Sequence, residues 1–306
     1  MLGWLSRWRR LAQLGILGMN RRNAECILDM NPRAAYPDVD SKRRMRDLCH
    51  SIGVPTPTIF SIVAAHSALR HLPRLLADRT DFVIKPNRGA GGRGILVVAG
   101  RAGDDFVRHN GEKMPFHDVR QHVSSVVSGL FSLGGQQDEA LIQQRVLLHP
   151  AFERISYQGI GDVRVILYKR VPVMAMLRLP TKMSGGRANL HQGGVGAGVD
   201  LTTGLTSRAV MRNRAVSIHP DTNESLVGFR VPYWAEILSM SCKVAGAVGL
   251  GYLGVDIVVD RDQGPLLLEA NARPGLAIQI ANGQGLLPRL QEIERRIGER
   301  QELSNP

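Results

Sequence analysis

The sequence predicts an α+β fold made of two lobes. Apolar runs rich in β-branched residues recur in pairs, and stretches with helical spacing are grouped between the pairs instead of following every strand. Strand hairpins with grouped helices are typical of α+β proteins, whereas a regular alternation of strand and helix predicts a parallel sheet. A chain of 306 residues is long enough for such lobes to bury a substantial core.

The first half of the chain supplies one set of elements. The segment "SKRRMRDLCHSIGVPTP" predicts a short helix that Gly53 ends and that Pro55 keeps from resuming. "FVIKP" and "ILVV" predict two strands joined by the loop "NRGAGGRG", and "ALIQQRV" predicts a later strand. Between them, helical spacing predicts a helix whose apolar face comprises Val119, Val123, Val126, Val127, Leu130 and Phe131.

The second half supplies another set. "DVRVILYKRVPVMAMLRL" predicts a strand pair that turns near Lys169 and Arg170, and "GVDIVVD" with "PLLLEAN" predicts a second pair. Residues 181–205 are rich in glycine and polar residues and predict a long mobile loop. Two helices are predicted from apolar faces, the first comprising Trp234, Ile237, Leu238, Ala245 and Val248 and the last Leu286, Leu290, Ile293 and Ile297.

The composition indicates an anionic partner. The formal net charge is +12, mostly dispersed arginine, and aromatic residues make up 5% of the chain. Base-stacking platforms need aromatic side chains, so a specific nucleic-acid partner is disfavoured. Cys26, Cys49 and Cys242 are far apart and unpaired by spacing, which fits a reducing compartment, and we expect a cytoplasmic protein.

The N-terminal segment "MLGWLSRWRRLAQLGILGM" combines Trp4, Trp8 and Leu11 with Arg7, Arg9 and Arg10. A packed or frayed surface helix is favoured over peripheral membrane contact, and a signal peptide is disfavoured because no small-residue cleavage site is evident. No stretch approaches the roughly 20 apolar residues that a membrane span needs.

The glycine loop after "FVIKP" points to phosphate. Gly89, Gly91 and Gly94 match G-x-G-x-x-G, but a strand follows where a dinucleotide site needs a helix, and no Walker lysine is present. What remains is a hairpin flap whose backbone N–H groups close over phosphates, or an ordinary glycine-rich turn. Lys85 is either an exposed strand end or a charge on phosphate, and Lys42 is either a second such charge or a solvated helix start.

The segment "GPLLLEANARPG" ends an apolar strand with Glu269 and Asn271, two residues apart and so on one face. If Asp260 pairs with Pro265 across the preceding turn, Asp256 lies directly opposite Glu269, with Cβ atoms about 5 Å apart. Two such carboxylates repel unless a cation lies between them. Asp, Glu and Asn oxygens suit Mg²⁺, so the hairpin predicts a magnesium site.

In their order along the chain, these segments resemble the ATP-grasp ligases, within them the RimK-like group of α-L-glutamate and amino-acid ligases. The matching segments cover about residues 41–280: Lys42 near "GVPTP", "FVIKPNRGAGGRG", "LIQQRV", "GDVRV", "RANLHQGG", "GVDIVV" and "LLLEANARPG". The resemblance implies an ATP-grasp fold with ATP between two lobes. It divides the chain into a lead segment (1–40), a first lobe with the flap (41–146) and a second lobe with the metal site and acceptor loop (147–306).

The resemblance also implies a role for each matching residue. ATP phosphates are bound by Lys42, Lys85 and a flap containing Gly89, Gly91, Gly92 and Gly94. The adenine pocket is lined by Gln143, Gln144 and Val146, and Mg²⁺ or Mn²⁺ is bound by Asp256, Glu269 and Asn271. Arg164 stabilises the transferred phosphoryl group or acyl phosphate, while Arg187 and Asn189 face the acceptor or the amino acid. His191, in the same loop, is either a general base or, the favoured reading, a plain loop histidine.

The implied activity is ATP-dependent ligation of a carboxylate to an amine through an acyl phosphate. An amino acid, with glutamate mildly favoured, and a carboxylate-bearing peptide or small molecule are the expected substrates. Gln144 stands where an acidic hinge residue is usual, and about 40 residues before the core are too few for the α/β domain that begins many relatives. A nucleotide-binding regulator or scaffold is the alternative, and the oligomeric state, homo-oligomers included, is left open.

Overall fold

A computed structural model describes residues 9–89 and 91–303, and two antiparallel sheets with helices packed against them organise this part of the chain. The α+β fold predicted from the sequence is confirmed. Residues 1–8, which hold Trp4, Arg7 and Trp8 of the predicted N-terminal helix, lie outside the described residues.

The first sheet has six strands in the order β1-β6-β2-β3-β4-β5. Their bounds are β1 Ile59–Val63, β2 Phe82–Pro86, β3 Leu96–Ala102, β4 Asp105–Arg108, β5 Lys113–Met114 and β6 Ala140–Gln143. The helix Phe116–Val127 buries Val119, Val123 and Val126 against this sheet. It ends at Val127, so Leu130, which the sequence placed on its apolar face, is 70% exposed. The turn after the helix, not its periodicity, sets that position.

The second sheet has seven strands in the order β11-β10-β9-β8-β7-β12-β13. Their bounds are β7 Asp162–Tyr168, β8 Val171–Leu179, β9 Val195–Val199, β10 Thr206–Met211, β11 Arg214–Val216, β12 Tyr252–Asp260 and β13 Gly264–Asn271. As predicted, β7 and β8 turn at Lys169 and Arg170, both of which have positive φ. Alternate residues on these strands face opposite sides of the sheet, and each side has its own core.

One face of the seven-stranded sheet is covered by the helix Trp234–Val248, whose Ile237 and Val244 are fully buried. Met45 and Cys49 of the helix Lys42–Ser51 belong to the same core. The opposite face is covered by the helices Ala277–Asn282 and Leu287–Leu303. Shorter helical segments are Met19–Arg21, the π-helix Arg22–Leu28, Arg33–Ala35, Tyr36–Asp40, His66–His71, Leu72–Leu76, Leu133–Gly135, Pro150–Glu153 and Leu190–Gln192.

The segment before the predicted first lobe is part of the packed structure. Leu17, Cys26 and Ile27 are buried in the core that the two C-terminal helices cover. Asn31 ties this segment to the sheet, because its side chain donates to the Tyr252 and Ala272 carbonyls at 2.8 and 3.1 Å and accepts from the Tyr252 N–H. The lead segment therefore helps to hold the end of β13, where the predicted metal ligands lie.

The prediction of one long mobile loop over residues 181–205 is wrong. Residues 195–199 form β9, a fully buried strand between β8 and β10. Its glycines reflect close packing: a Cβ on Gly198 would lie 2.8 Å from the Ala281 carbonyl oxygen, and one on Gly196 would lie 2.7 Å from a Leu190 methyl group. Small residues let a helix and a loop approach the strand closely. The resulting glycine-rich composition is the same as that of a flexible loop.

Within the described residues, no helix is both long enough and apolar enough to cross a membrane.

Candidate active site

The hairpin of β12 and β13 places Asp256 directly opposite Glu269, as predicted. The register that led to this prediction is wrong, since Asp260 pairs with Gly264 and Val259 with Pro265. An irregularity between Asp256 and Ile257, whose partners are Glu269 and Leu267, adds one residue to β13 and restores the opposition. Leu267 and Leu268, the consecutive residues at this β-bulge, both line the cleft between the lobes.

Glu269 and Asn271 share a face, as their spacing requires. Asn271 Nδ2 donates to Glu269 Oε1 at 3.3 Å and to Asp256 Oδ2 at 3.2 Å. The three predicted metal ligands therefore form one contiguous cluster of side chains. Across residues 9–89 and 91–303, no group of three or more His, Cys, Asp and Glu side chains is placed to hold a metal ion. A metal here would take its third oxygen from the Asn271 amide.

Two arginines hold the Asp256 carboxylate, which is 1% exposed. Arg164 donates from Nε to Oδ1 at 2.7 Å and from Nη2 to Oδ2 at 2.5 Å. Arg178, on β8, donates to Oδ2 at 2.7 Å and also binds both oxygens of Asp162, at 2.5 and 2.8 Å. The result is a buried chain of alternating charges, Asp162–Arg178–Asp256–Arg164.

The charges of this network control the protonation of Asp256. Burial alone raises the pKa of a carboxyl group, but the charges of Arg164 and Arg178, together with hydrogen bonds, hold the pKa of Asp256 well below its usual range. Asp256 is therefore ionised at neutral pH, as a metal ligand must be. Its Oδ1 accepts from Arg164 alone and keeps a lone pair, and Glu269 has further acceptor capacity, so the donor set fits Mg²⁺.

Two lysines lie on the other side of the cleft. Lys85, at the end of β2, is only 8% exposed and is not the solvated strand end that was one alternative. Burial and the nearby charge of Lys42 lower the pKa of Lys85 to about 7, and Glu269 partly opposes this shift. The pKa of Lys42 is also lowered, mainly by burial. A buried and a half-buried amine near the Glu269 carboxylate form a site that an added anion would stabilise.

Lys42 also fastens the flap. Its Nζ donates to the Gly89 carbonyl at 2.7 Å, and its backbone N–H donates to the Asn87 carbonyl at 3.2 Å. The Asn87 side chain accepts from Ser41 Oγ and the Arg43 N–H at 3.1 and 3.0 Å. The start of the Lys42–Ser51 helix and the start of the flap are thus one hydrogen-bonded unit.

The other end of the flap is anchored at Gly94. Its carbonyl lies 2.9 Å from a ring nitrogen of His122, and a Cβ there would lie 2.5 Å from the ring of Phe131. Gly91 and Gly92 lie between the anchors and have positive φ; a Cβ on Gly91 would point into open space, and one on Gly92 would contact only the Arg187 side chain. The two ends of the flap are therefore held by the helix Lys42–Ser51 and by His122.

The cleft between the lobes is lined by Lys42, Met45, Arg46, Thr56, Pro57, Ile59, Lys85, Gln143, Leu267 and Leu268. Of the three predicted adenine contacts, Gln143 lines this cleft. Gln144 instead pairs with Thr58, donating from its N–H to the Thr58 carbonyl at 2.8 Å and accepting from the Thr58 N–H at its Oε1. Val146 packs with Val258 and Leu266 in a small apolar cluster.

The predicted acceptor loop has one residue near the flap and one that supports the loop itself. Arg187 is exposed, and its Cδ lies 3.8 Å from the position that a Cβ on Gly92 would occupy. Asn189 Oδ1 accepts from the His191 N–H at 3.0 Å and caps the short helical turn Leu190–Gln192. Arg187 thus lies beside the flap, while Asn189 shapes the backbone that follows it.

One family of known proteins matches most of the chain. The profile of the sugar-transfer associated ATP-grasp family matches residues 21–295. The chain belongs to the ATP-grasp family. The resemblance that its motifs indicated is confirmed, and the matched residues include every predicted site residue.

Individual relatives are more distant. A probable alpha-L-glutamate ligase from Parasynechococcus marenigrum (strain WH8102) is 27% identical over 228 residues, which cover 74% of this chain and 35% of that protein. The chain thus spans about a third of the length of this curated relative. D-alanyl-alanine synthetase A from Vibrio cholerae O1 biovar eltor str. N16961 has a TM-score of 0.50 at 11% identity, covering 84% of this chain and 64% of its own. Pyruvate carboxylase from Rhizobium etli has a TM-score of 0.50 at 18% identity, and the match covers 83% of this chain and 18% of that protein.

Several residues of this ATP-grasp site were missed from the sequence. Arg178 is a lone charge in the apolar strand "VPVMAMLRL", two residues beyond Met176 and on the same face. Asp162 lies two residues before Arg164 and opposite Arg178 in the β7–β8 register. A charged residue interrupting an apolar strand was the available signal. Asn87 gave no such signal, because asparagine is common in turns.

Proposed function

We propose that this ATP-grasp protein is an ATP-dependent carboxylate–amine ligase. The single observation that carries the proposal is the convergence of Lys42 and Lys85 on one side of the cleft and of Glu269, Asn271 and Asp256 on the other. Such a site binds a polyphosphate through its amines and holds a divalent cation through its oxygens.

The reaction has two steps. A carboxylate oxygen attacks the γ-phosphorus of ATP and the bond to the β,γ-bridging oxygen breaks, which gives an acyl phosphate and ADP. The nitrogen of an amine then attacks the acyl carbon, inorganic phosphate leaves with its electron pair, and the amine loses a proton to give the amide. The protein needs no covalent nucleophile, since its task is to position the reactants and stabilise charge.

The residues of the chain have separate tasks in this proposal. Lys42 and Lys85 bind phosphate oxygens, and the flap from Gly89 to Gly94 closes over them. Gln143 and the cleft wall at Leu268 contact the adenine. Magnesium, held by Glu269, Asn271 and Asp256 Oδ1, would neutralise charge on the phosphates when bound. Arg164 and Arg178, fixed by Asp256, face the transferred group, and Arg187 approaches from the loop.

The substrate class is also part of the proposal. The similarity to a probable alpha-L-glutamate ligase supports an amino acid as one substrate, with a carboxylate-bearing peptide or small molecule as the other. The net charge of +12 favours anionic substrates of both kinds.

The test is a matrix of amino acids, short peptides and carboxylates, scored for ADP release that requires both an amine and a carboxylate, with mass spectrometry of the products. A ligase gives an amide whose mass equals that of both substrates minus water. A regulator or scaffold binds ATP and releases no ADP with any pair.

The variant Glu269→Gln tests the metal-binding role in the same assay. It keeps the shape of the side chain and removes one charge from the cation site, so we expect turnover to fall at least about 100-fold. ATP binding measured without Mg²⁺ should persist, because both lysines are intact. Glu236→Gln, at an exposed position of the helix Trp234–Val248, is the matched control and should turn over like the wild type. Full amide formation by Glu269→Gln would refute the assignment.

A further inference from the structure

A second cavity lies on the same face of the seven-stranded sheet as the charged network. It has a volume of about 330 Å³ and is lined by Leu190, His191, Val210, Arg212, Asn213, Ala277 and Ile280. This volume is at the lower end of the range for small-molecule sites, roughly 300–1,000 Å³. No residue of this cavity has a role in the site described above, although His191 lies in the acceptor loop.

The sheet register relates the position of this cavity to that of Arg178 in the charged network. Arg178 on β8 pairs with Gly196 on β9, and Gly196 pairs with Val210 on β10. Neighbouring strands are about 4.8 Å apart, so the backbones of Arg178 and Val210 lie roughly 10 Å apart on one row across the sheet. The side chain of Leu190 packs directly on Gly196 in the middle of this row, so Leu190 separates the cavity from Arg178.

The loop gives a second connection. Arg187 lies beside Gly92 of the flap, and three residues later Leu190 lines the cavity. A molecule that fills the cavity can therefore extend along Leu190 towards Arg187 and Arg178. The distance of roughly 10 Å corresponds to two or three extended residues, at about 3.3 Å per residue.

The lining specifies the chemistry of the occupant. An apolar wall is formed by Leu190, Val210, Ala277 and Ile280, and Ile280 is 41% exposed. Arg212 and Asn213 form the two-residue turn between β10 and β11 and lie at the rim. An exposed guanidinium beside an apolar wall matches a carboxylate next to an apolar side chain.

We propose that this cavity binds the amine substrate, and that this substrate is a dipeptide-sized molecule with an apolar side chain and a free carboxylate. The carboxylate pairs with Arg212, the apolar side chain packs on Val210 and Ile280, and the free amine points over Leu190 towards Arg178. This inference rests on the proposed ligase function and departs from it in two respects: the preferred amine is dipeptide-sized and not a single amino acid, and its side chain is apolar and not that of glutamate.

The test is direct binding, which needs no ligation. Leucyl-leucine, leucyl-leucinamide and glutamyl-glutamate are titrated by calorimetry against the full chain, with a non-hydrolysable ATP analogue and Mg²⁺ present. Leucyl-leucinamide lacks the carboxylate, and glutamyl-glutamate lacks the apolar side chains. We expect leucyl-leucine to bind at least about tenfold more tightly than either of the others.

Two variants with matched controls localise the binding. Arg212→Gln should weaken leucyl-leucine about tenfold and leave leucyl-leucinamide unchanged, and Ile280→Trp, which fills the cavity, should abolish binding of leucyl-leucine. Arg214→Gln, two residues along the chain and outside the cavity, and Ile218→Trp, at an isoleucine that is 54% exposed elsewhere, should bind like the wild type. Circular dichroism and binding of the ATP analogue confirm that each variant is folded.

The outcomes separate this inference from the ligase itself. If leucyl-leucine binds no better than its two analogues, or binds Arg212→Gln and Ile280→Trp like the wild type, the inference is overturned even when the protein forms amides. If leucyl-leucine binds as expected but no carboxylate partner yields ADP and amide, the cavity assignment holds and the ligase function fails.

Discussion

At the scale of single residues, burial is what gives the charged side chains of this site their properties. The alternation of side chains along a strand was enough to predict that Glu269 and Asn271 share a face. It was not enough to predict that Lys85 is buried, or that Arg178 joins Asp162 to Asp256, because both depend on what packs above the strand. Sequence position identifies candidates, and tertiary burial decides which of them are charged and paired.

Lys85 leads to a prediction about pH. Its pKa of about 7 in the free protein means that the amine is largely neutral at pH 8, and bound phosphate should restore the charge by raising this pKa. We expect uptake of a substantial fraction of one proton when ATP binds at pH 8, and a smaller uptake in Lys85→Met. Calorimetry in two buffers with different ionisation enthalpies measures it. Binding without proton uptake by the wild type would show that Lys85 is already charged.

The same pKa determines a dependence of stability on pH. The unfolded chain has the ordinary lysine pKa of 10.5 and the folded protein a pKa of about 7, so between these values the unfolded state binds more protons. The contribution of Lys85 to the free energy of unfolding therefore rises with pH over this window. In Lys85→Met this contribution is absent. The free energy of unfolding of the wild type minus that of Lys85→Met, measured in urea, should therefore increase from pH 7 to pH 9.

Arg178 leads to a prediction about stability. Replacing it with methionine leaves Asp162 and Asp256 buried with fewer partners, and removing one member of a buried charge network costs about 3–5 kcal/mol. We expect Arg178→Met to lower the free energy of unfolding by this amount in urea, and Arg178→Lys to lower it less, because lysine keeps the charge but loses the fork that spans both carboxylates. Arg214→Met, at an exposed arginine, should stay within about 0.5 kcal/mol of the wild type. An unchanged stability of Arg178→Met would show that the network is not held as described.

At the scale of elements, the register of the β12–β13 hairpin and the missed strand β9 both depend on backbone details that side-chain periodicity does not show. The β12–β13 hairpin was predicted without the bulge, and the correct opposition of Asp256 and Glu269 came from two errors that cancel: a pairing displaced by one residue at the turn and an extra residue near Leu268. Strand β9 was missed because "VGAGV" lacks the bulky side chains that identify strands, although all five residues are buried. Glycine composition alone does not distinguish a mobile loop from a strand packed closely on a helix.

The close packing of β9 is testable by adding a single methyl group. In Gly198→Ala the Cβ would lie 2.8 Å from the Ala281 carbonyl oxygen and from Asn282 Cα, and overpacking against backbone costs about 1–3 kcal/mol. Gly246→Ala, within the helix Trp234–Val248 and with nothing within 4 Å of the new atom, should stabilise the protein by about 0.5–1 kcal/mol. Unfolding in urea measures both. Equal stabilities of the two variants would contradict the packing of β9 against the helix Ala277–Asn282.

At the scale of the whole molecule, the family was predicted because seven short segments occur in the same order as in the ATP-grasp ligases. The α+β architecture was predicted from the strand hairpins. The strands β1, β4, β5, β10 and β11 were not predicted, since short strands at the edges or beside loops leave little periodicity. The lobe boundaries stay a proposal. Met45 and Cys49 pack with the second sheet, but their helix begins at Lys42, which binds the flap of the first lobe. The N-terminal segment, buried at Leu17 and Cys26, also joins the second sheet.

The central claim is that the cleft makes an acyl phosphate and then an amide, and transfer of an oxygen isotope tests it most directly. A substrate whose carboxylate carries ¹⁸O is incubated with ATP, Mg²⁺ and the amine, and the inorganic phosphate is analysed by mass spectrometry. In the proposed reaction the oxygen that attacks phosphorus leaves with the phosphate, so each amide formed should be matched by one phosphate containing one ¹⁸O from the carboxylate. Phosphate without the label, alongside ADP release, would show that water and not the carboxylate attacks ATP, and would contradict the assignment of this protein as a carboxylate–amine ligase.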